Sequence, residues 1–183
     1  MKSYLITSRE FYTDTPAVFR KILQEQFIKH LPDYALYRDK ANPHYDTQAE
    51  HFIEVCRNFE SIKSLIHEDI TLAKNLGAYG VHLTSKQFDK IEEAKELNLH
   101  VVISTHTHEE VLKAQELGAD AVTYSPIFAS PNKGETKGIE DLKELLNEVD
   151  IKIFALGGVV DALHVETLKE VNPYGFASIR YFY

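Results

Sequence analysis

Cysteine is almost absent from this chain: Cys56 is the only one in 183 residues, which excludes an intrachain disulfide and a zinc cage built on thiolates. A lone thiol can still act as a nucleophile, but Cys56 lies in HFIEVCRNF on the apolar side of a predicted helix, where free cysteine packs as a small hydrophobe. Basic residues are in deficit too. Lysine and arginine number 20 against 28 aspartates and glutamates, a formal net charge of −8, which argues against nucleic acid or an anionic membrane as a general partner. Any anion site must therefore be local. No apolar run approaches the ~18–20 residues of a membrane span, and MKSYLITSRE holds no apolar stretch long enough for a signal peptide. The cytoplasm is the expected compartment. Low-complexity segments and a Gly-x-Gly-x-x-Gly dinucleotide fingerprint are also missing.

What the chain does have is alternation. Short β-rich runs predict strands near Tyr4–Thr7, Tyr34–Arg38, Ser64–His67, Gly80–Leu83, His100–Ser104, Ala121–Tyr124, Ile151–Leu156 and Gly175–Ile179. Between them, segments such as PAVFRKILQEQFIKH, DTQAEHFIEVCRNF, FDKIEEAKELN, THEEVLKAQELG and IEDLKELLNEV repeat apolar residues three to four apart, as amphipathic helices do. Thr107, followed by Glu109 and Glu110, predicts a capped helix start, while the glycines of KNLGAYG and QELGAD predict left-handed helix stops. Repeated βα units build a parallel sheet. Eight strands could form an open doubly wound sheet, but short regular loops without a dinucleotide fingerprint favour one α/β domain over residues 1–183, a (β/α)8 TIM-type barrel. The helix expected after the eighth strand is lacking beyond PYGFASIRYFY. The wall left bare there would be covered either by Tyr181, Phe182 and Tyr183 or by a second copy in a homodimer.

In such barrels the site is built at the carboxyl ends of the strands, with phosphate held after the last two. After strand seven, FALGGV offers Gly157 and Gly158, whose backbone N–H groups a phosphate can approach closely. After strand eight, Ser178 in GFASIR offers a hydroxyl. After strand two, LYRDK sets Arg38 and Lys40 two apart, hence on one side of an extended segment, as a diphosphate would need. The long loop SPIFASPNKGETKG reads as a lid, with Lys133 near its tip and Lys137 as a competitor. His106, just beyond strand five in ISTHTH, is the candidate acid or base, with Ser104 two residues earlier. His82 in GVHL is either catalytic or a hydrogen-bonded histidine lining the barrel. Glu68 and Asp69 in IHED are the carboxylates placed for a cation, although first-turn acids are expected before ITLAKNLG on dipole grounds alone.

Taken together, LYRDK, IHEDITLAKNLGAYGVHL, ISTHTHEEVLKAQELGADAVTYSPIFASPNK and FALGGV resemble the thiamine phosphate synthase and thiazole tautomerase family, most specifically from Ala78 to Lys133. The resemblance implies a barrel acting on a phosphorylated thiazole or thiamine-related small molecule. It implies Gly157, Gly158 and Ser178 on the thiazole phosphate, Arg38, Lys40 and Lys133 on a diphosphate, and Ser104 at a further polar position of that site, while His67 and His82 are expected on the substrate side from their places at strand ends. In the synthase branch the thiazole nitrogen attacks an aminopyrimidine diphosphate with release of pyrophosphate, and Mg²⁺ assists. In the tautomerase branch a histidine at His106 moves a proton and no metal is required. The chain departs from the synthase pattern at Leu36, where a glutamine is usual, at His67 and Glu68, where Asn-Asp is usual, and at Gln87, where an acid helps hold Mg²⁺. A neutral amide and an imidazole suit Mg²⁺ poorly. Those departures tilt the expectation toward metal-independent tautomerisation, with the synthase and a non-catalytic thiazole- or thiamine-phosphate-binding protein as alternatives.

Overall fold

The computed structural model describes residues 1–129 and 134–183. Eight strands, β1 (Lys2–Ile6), β2 (Tyr34–Tyr37), β3 (Lys63–His67), β4 (Gly80–Leu83), β5 (His100–Thr105), β6 (Ala121–Tyr124), β7 (Lys152–Leu156) and β8 (Gly175–Ser178), pair in parallel and close into a barrel in sequence order. The helices are α1 (Arg9–Tyr12), α2 (Pro16–His30), α3 (Tyr45–Cys56), α4 (Ile70–Asn75), α5 (Ile91–Glu96), α6 (His108–Glu116), α7 (Gly138–Glu148) and α8 (Ala162–Val171). None is long and apolar enough to cross a membrane among the described residues.

The strands are buried on both faces, which is why they read as near-continuous apolar runs. Alternate residues point inward, so Tyr4, Ile6, Tyr34, Leu36, Leu65, Val102, Ala121, Phe154 and Ala177 fill the barrel. Strand residues such as Ile66 and Ile103 point outward and are wholly enclosed with Phe52, Leu142 and Leu168 of the surrounding helices. Cys56 is buried in that outer layer, where burial pushes its thiol well above the ordinary range.

Helix starts follow the local chemistry. The Thr107 hydroxyl accepts the Glu110 N–H at 3.1 Å while the Glu110 carboxylate accepts the His106 N–H at 2.6 Å, which ties the loop after β5 to the first turn of α6. Asp69 and Asp161 cap α4 and α8 in the same way.

Beyond β8 the chain makes only a 3₁₀ turn, Arg180–Phe182. Phe182 is 1% exposed, lies parallel to Phe176 at 5.8 Å and meets the His30 ring edge-on at 5.4 Å. Tyr183 packs on Phe11 at 4.5 Å. Tyr181, Phe182 and Tyr183 thus pack over the wall after β8, the first of the two coverings expected.

Candidate active site

The inward-facing residues run out of apolar side chains toward the carboxyl ends of the strands. Register puts His67 beside His82, and Ser104 two residues past the one paired with His82, so three polar groups stand on adjoining strands at the mouth. There a cavity of about 470 Å³ opens. Its floor is Ile6, Leu36, Leu156 and Ala177, and its wall carries His67, His82, Ser104, His106 and Ser125. Arg38, Lys40 and Arg180 are the cations lining it, and no carboxylate lines it among the described residues. In a chain of net charge −8 that is a local positive field, suited to an anionic ligand.

Gly157 and Gly158 close one side. Both have positive φ, 98° and 70°, and a Cβ on Gly158 would lie 2.6 Å from the Ala129 carbonyl oxygen. The loop after β6 is laid directly on this pair, with the Ile127 N–H donating to Leu156 O at 2.9 Å and the Phe128 N–H to Gly157 O at 3.0 Å. Glycine is required there because two backbones meet without room for a side chain. Ser178 lines the same end, but its hydroxyl donates to Val159 O at 2.6 Å and accepts the Tyr181 N–H at 3.2 Å. The hydroxyl expected from sequence to meet phosphate is therefore engaged in joining the loops after β7 and β8.

The histidines are held in different states. His67 is nearly buried, and burial, reinforced by Arg38 and Lys40, lowers its pKa to about 3 despite the Glu68 carboxylate 3.3 Å from its Nδ1. His82 is 3% exposed and pushed far below the usual histidine range, chiefly by burial. Its Nδ1 lies 2.7 Å from the Tyr4 hydroxyl and its Nε2 3.0 Å from Ser104 Oγ. His106 is exposed at the mouth, with Nδ1 3.1 Å from the Ser125 carbonyl oxygen. Donating there leaves Nε2 free for a proton transfer.

Arg38, Lys40, His67, His82, Ser104, His106, Gly157, Gly158 and Ser178 all line this cavity, whereas Glu68, Asp69 and Lys137 do not. Lys133 lies outside the described residues. Lys137 stays away from the cavity, with its ammonium 5.9 Å from the Tyr124 ring. Glu68, Asp69 and Gln87 line a neighbouring open groove that shares only Lys40 and His67 with the cavity. Sequence reasoning missed Arg180, Ser125, Thr84 and Ser85. Arg180 was findable, since it follows the strand-eight end by two residues.

Two of the three polar residues in the groove expected near a cation are engaged elsewhere. Gln87 Oε1 accepts from the Thr84 N–H at 3.0 Å and from its hydroxyl at 3.3 Å, and its amide nitrogen donates to Glu68 O. Asp69 is engaged as the α4 cap. Among the described residues no three His, Cys, Asp or Glu side chains converge as metal ligands. The Glu68 carboxylate, met among the described residues only by His67 Nδ1 at 3.3 Å, is the carboxylate left in the groove that could share a cation with substrate phosphates.

The thiamine monophosphate synthase family model matches residues 3–181. The chain belongs to that family. It is 30% identical over 190 residues to the thiamine-phosphate synthase of Clostridium tetani, spanning 96% of this chain and 85% of that one. With the thiamine-phosphate synthase of Fusobacterium nucleatum it shares 33% identity over 131 residues, 69% of this chain and 62% of the relative. The fold superposes on the thiamine phosphate pyrophosphorylase of Pyrococcus furiosus with a TM-score of 0.83 at 24% identity, over 97% of this chain and 85% of that one. Relatives thus bear the name of the synthase, which the sequence placed second, rather than that of the tautomerase, toward which it leaned.

Proposed function

We propose that the protein condenses a heterocyclic methyl diphosphate with a thiazole phosphate, forming thiamine phosphate and releasing pyrophosphate. The observation that carries this is the cavity's charge: Arg38, Lys40 and Arg180 line it, no described carboxylate does, and a glycine cup stands at the β7–β8 end. One ligand phosphate fits the cup and a diphosphate fits the cations. The thiazole nitrogen attacks the methylene carbon, the carbon–oxygen bond breaks, and the electron pair leaves on pyrophosphate. Arg38 and Lys40 meet that charge as it develops, and the apolar floor of Ile6, Leu36, Leu156 and Ala177 excludes water from the reacting carbon.

The test is incubation with both substrates, with and without Mg²⁺, following thiamine phosphate by chromatography. Arg38→Ala is expected to lower kcat/KM by about 10- to 100-fold, the worth of a charge-assisted hydrogen bond. One observation favours a second reading, metal-independent tautomerisation of a thiazole carboxylate phosphate: Gln87 is engaged internally while His106 presents a free Nε2 at the mouth. Turnover of the tautomerase substrate without thiamine phosphate formation would select it. Pyrophosphate binding without either turnover would leave a binding protein.

A further inference from the structure

We propose that Tyr4 is a positioning residue: by donating its phenolic proton to His82 Nδ1 it holds the imidazole proton on Nε2 and makes Ser104 a hydrogen-bond donor aimed into the cavity. Tyr4 stands on β1 and reaches through the barrel interior to His82 on β4, a contact between residues 78 apart in sequence. It is 0% exposed, and its ring lies among Tyr34 at 5.8 Å and Phe154 at 5.1 Å. Its hydroxyl has one polar partner among the described residues, His82 Nδ1 at 2.7 Å.

That single partner decides the direction of the chain of protons. Were His82 Nδ1 the donor, the phenolic hydrogen would be left without an acceptor in an apolar interior, an arrangement buried hydroxyls avoid. Nδ1 is therefore the acceptor, and a neutral imidazole then carries its hydrogen on Nε2. Nε2 lies 3.0 Å from Ser104 Oγ, which must accept it. Ser104 has no other partner among the described residues, so its own hydrogen turns to the cavity. Burial keeps Tyr4 protonated and His82 uncharged, so the arrangement persists across neutral pH.

The ligand atom opposite Ser104 is consequently an acceptor. Given a cavity lined by three cations and no described carboxylate, it is an anionic oxygen. Only that last assignment rests on the proposed condensation. The relay itself is a property of the free protein.

Two-bond ¹H–¹⁵N spectra of histidine-labelled protein test the relay directly, with His82 identified by its loss in His82→Gln. The wild type is expected to show the Nε2–H form, and Tyr4→Phe to lose it as the single form. In kinetics, Tyr4→Phe is expected to lower kcat/KM by about tenfold in the wild type. On a Ser104→Ala background it is expected to cost less than about twofold, because Tyr4 acts through that hydroxyl. Should Tyr4→Phe fail to fold, His82→Gln, which keeps an N–H for Ser104, is expected to retain more activity than His82→Leu. An Nδ1–H form in the wild type, an undiminished Tyr4→Phe effect without Ser104, or equal loss in the two His82 variants would overturn the proposal. If the wild type turns nothing over, the same cycle is read in its dissociation constant for inorganic pyrophosphate. Loss of turnover with the spectra and the cycle intact then counts against the condensation and leaves the relay standing.

Discussion

Replacing Gly158 by alanine asks how much the phosphate cup depends on two backbones in contact. At φ 70° an alanine sits in the left-handed region, which costs about 1–2 kcal/mol on its own. The added Cβ would also lie 2.6 Å from Ala129 O, 2.6 Å from Phe128 Cβ and 2.7 Å from Phe128 C, so backbone rather than a flexible side-chain end must move. Overpacking of that kind adds about 1–3 kcal/mol. The sum is about 3 kcal/mol, or about 6–12 °C in melting temperature for a domain of this size. Gly77→Ala is the internal control, because Gly77 has nearly the same φ, 66°, with nothing within 4 Å of an added Cβ. It is expected to show the left-handed cost alone. Urea unfolding of the two variants separates the terms, and calorimetry with inorganic phosphate reads the cup. Equal destabilisation of the two variants, or unchanged phosphate affinity in Gly158→Ala, would refute the claim that close approach of the β6 loop shapes the site.

Three further outcomes follow from the same geometry. His67, lowered by burial to about 3, is neutral when folded and charged when unfolded between its ordinary pKa and about pH 3. The unfolded state binds the extra proton there, so stability falls on acidification from pH 6.5, by up to about 1.4 kcal/mol per pH unit. His67→Asn is expected to flatten the pH dependence of urea unfolding between pH 6 and 4, and an unchanged slope would contradict it. Phe182→Ala removes a side chain that is 1% exposed and is expected to cost about 3–5 kcal/mol in thermal or urea unfolding. A loss under about 1 kcal/mol would mean that the terminal turn does not seal the barrel wall. Cys56 is expected to stay unreactive to a thiol reagent in the native protein and to react on unfolding, since a buried protonated thiol is no nucleophile.

Strand positions were legible because each run is buried on both faces and bounded by turn residues, and the structure shifts their ends by only a residue or two. The short α1 turn went unread, being too brief to show a helical period. The site was legible where chemistry coincides with a strand end, as at Arg38, Lys40, Ser104, His106 and the glycine pair. Its internal wiring was not. Tyr4 reads in sequence as one more strand aromatic, Gln87 as a weakened metal ligand and Ser178 as a phosphate donor. Their roles depend on His82, Thr84 and Val159 as hydrogen-bond partners.

By itself, then, the order of residues determined the barrel, the end of it at which the candidate site lies and the cations gathered there. Those follow from local hydrophobic periodicity and from which residues stand at strand ends. Only the closed barrel decided which polar groups are free. Closure brings β1 against β4 through the interior and lays the β6 loop on the β7 glycines, and a hydrogen bond between distant strands leaves no periodic trace along the chain.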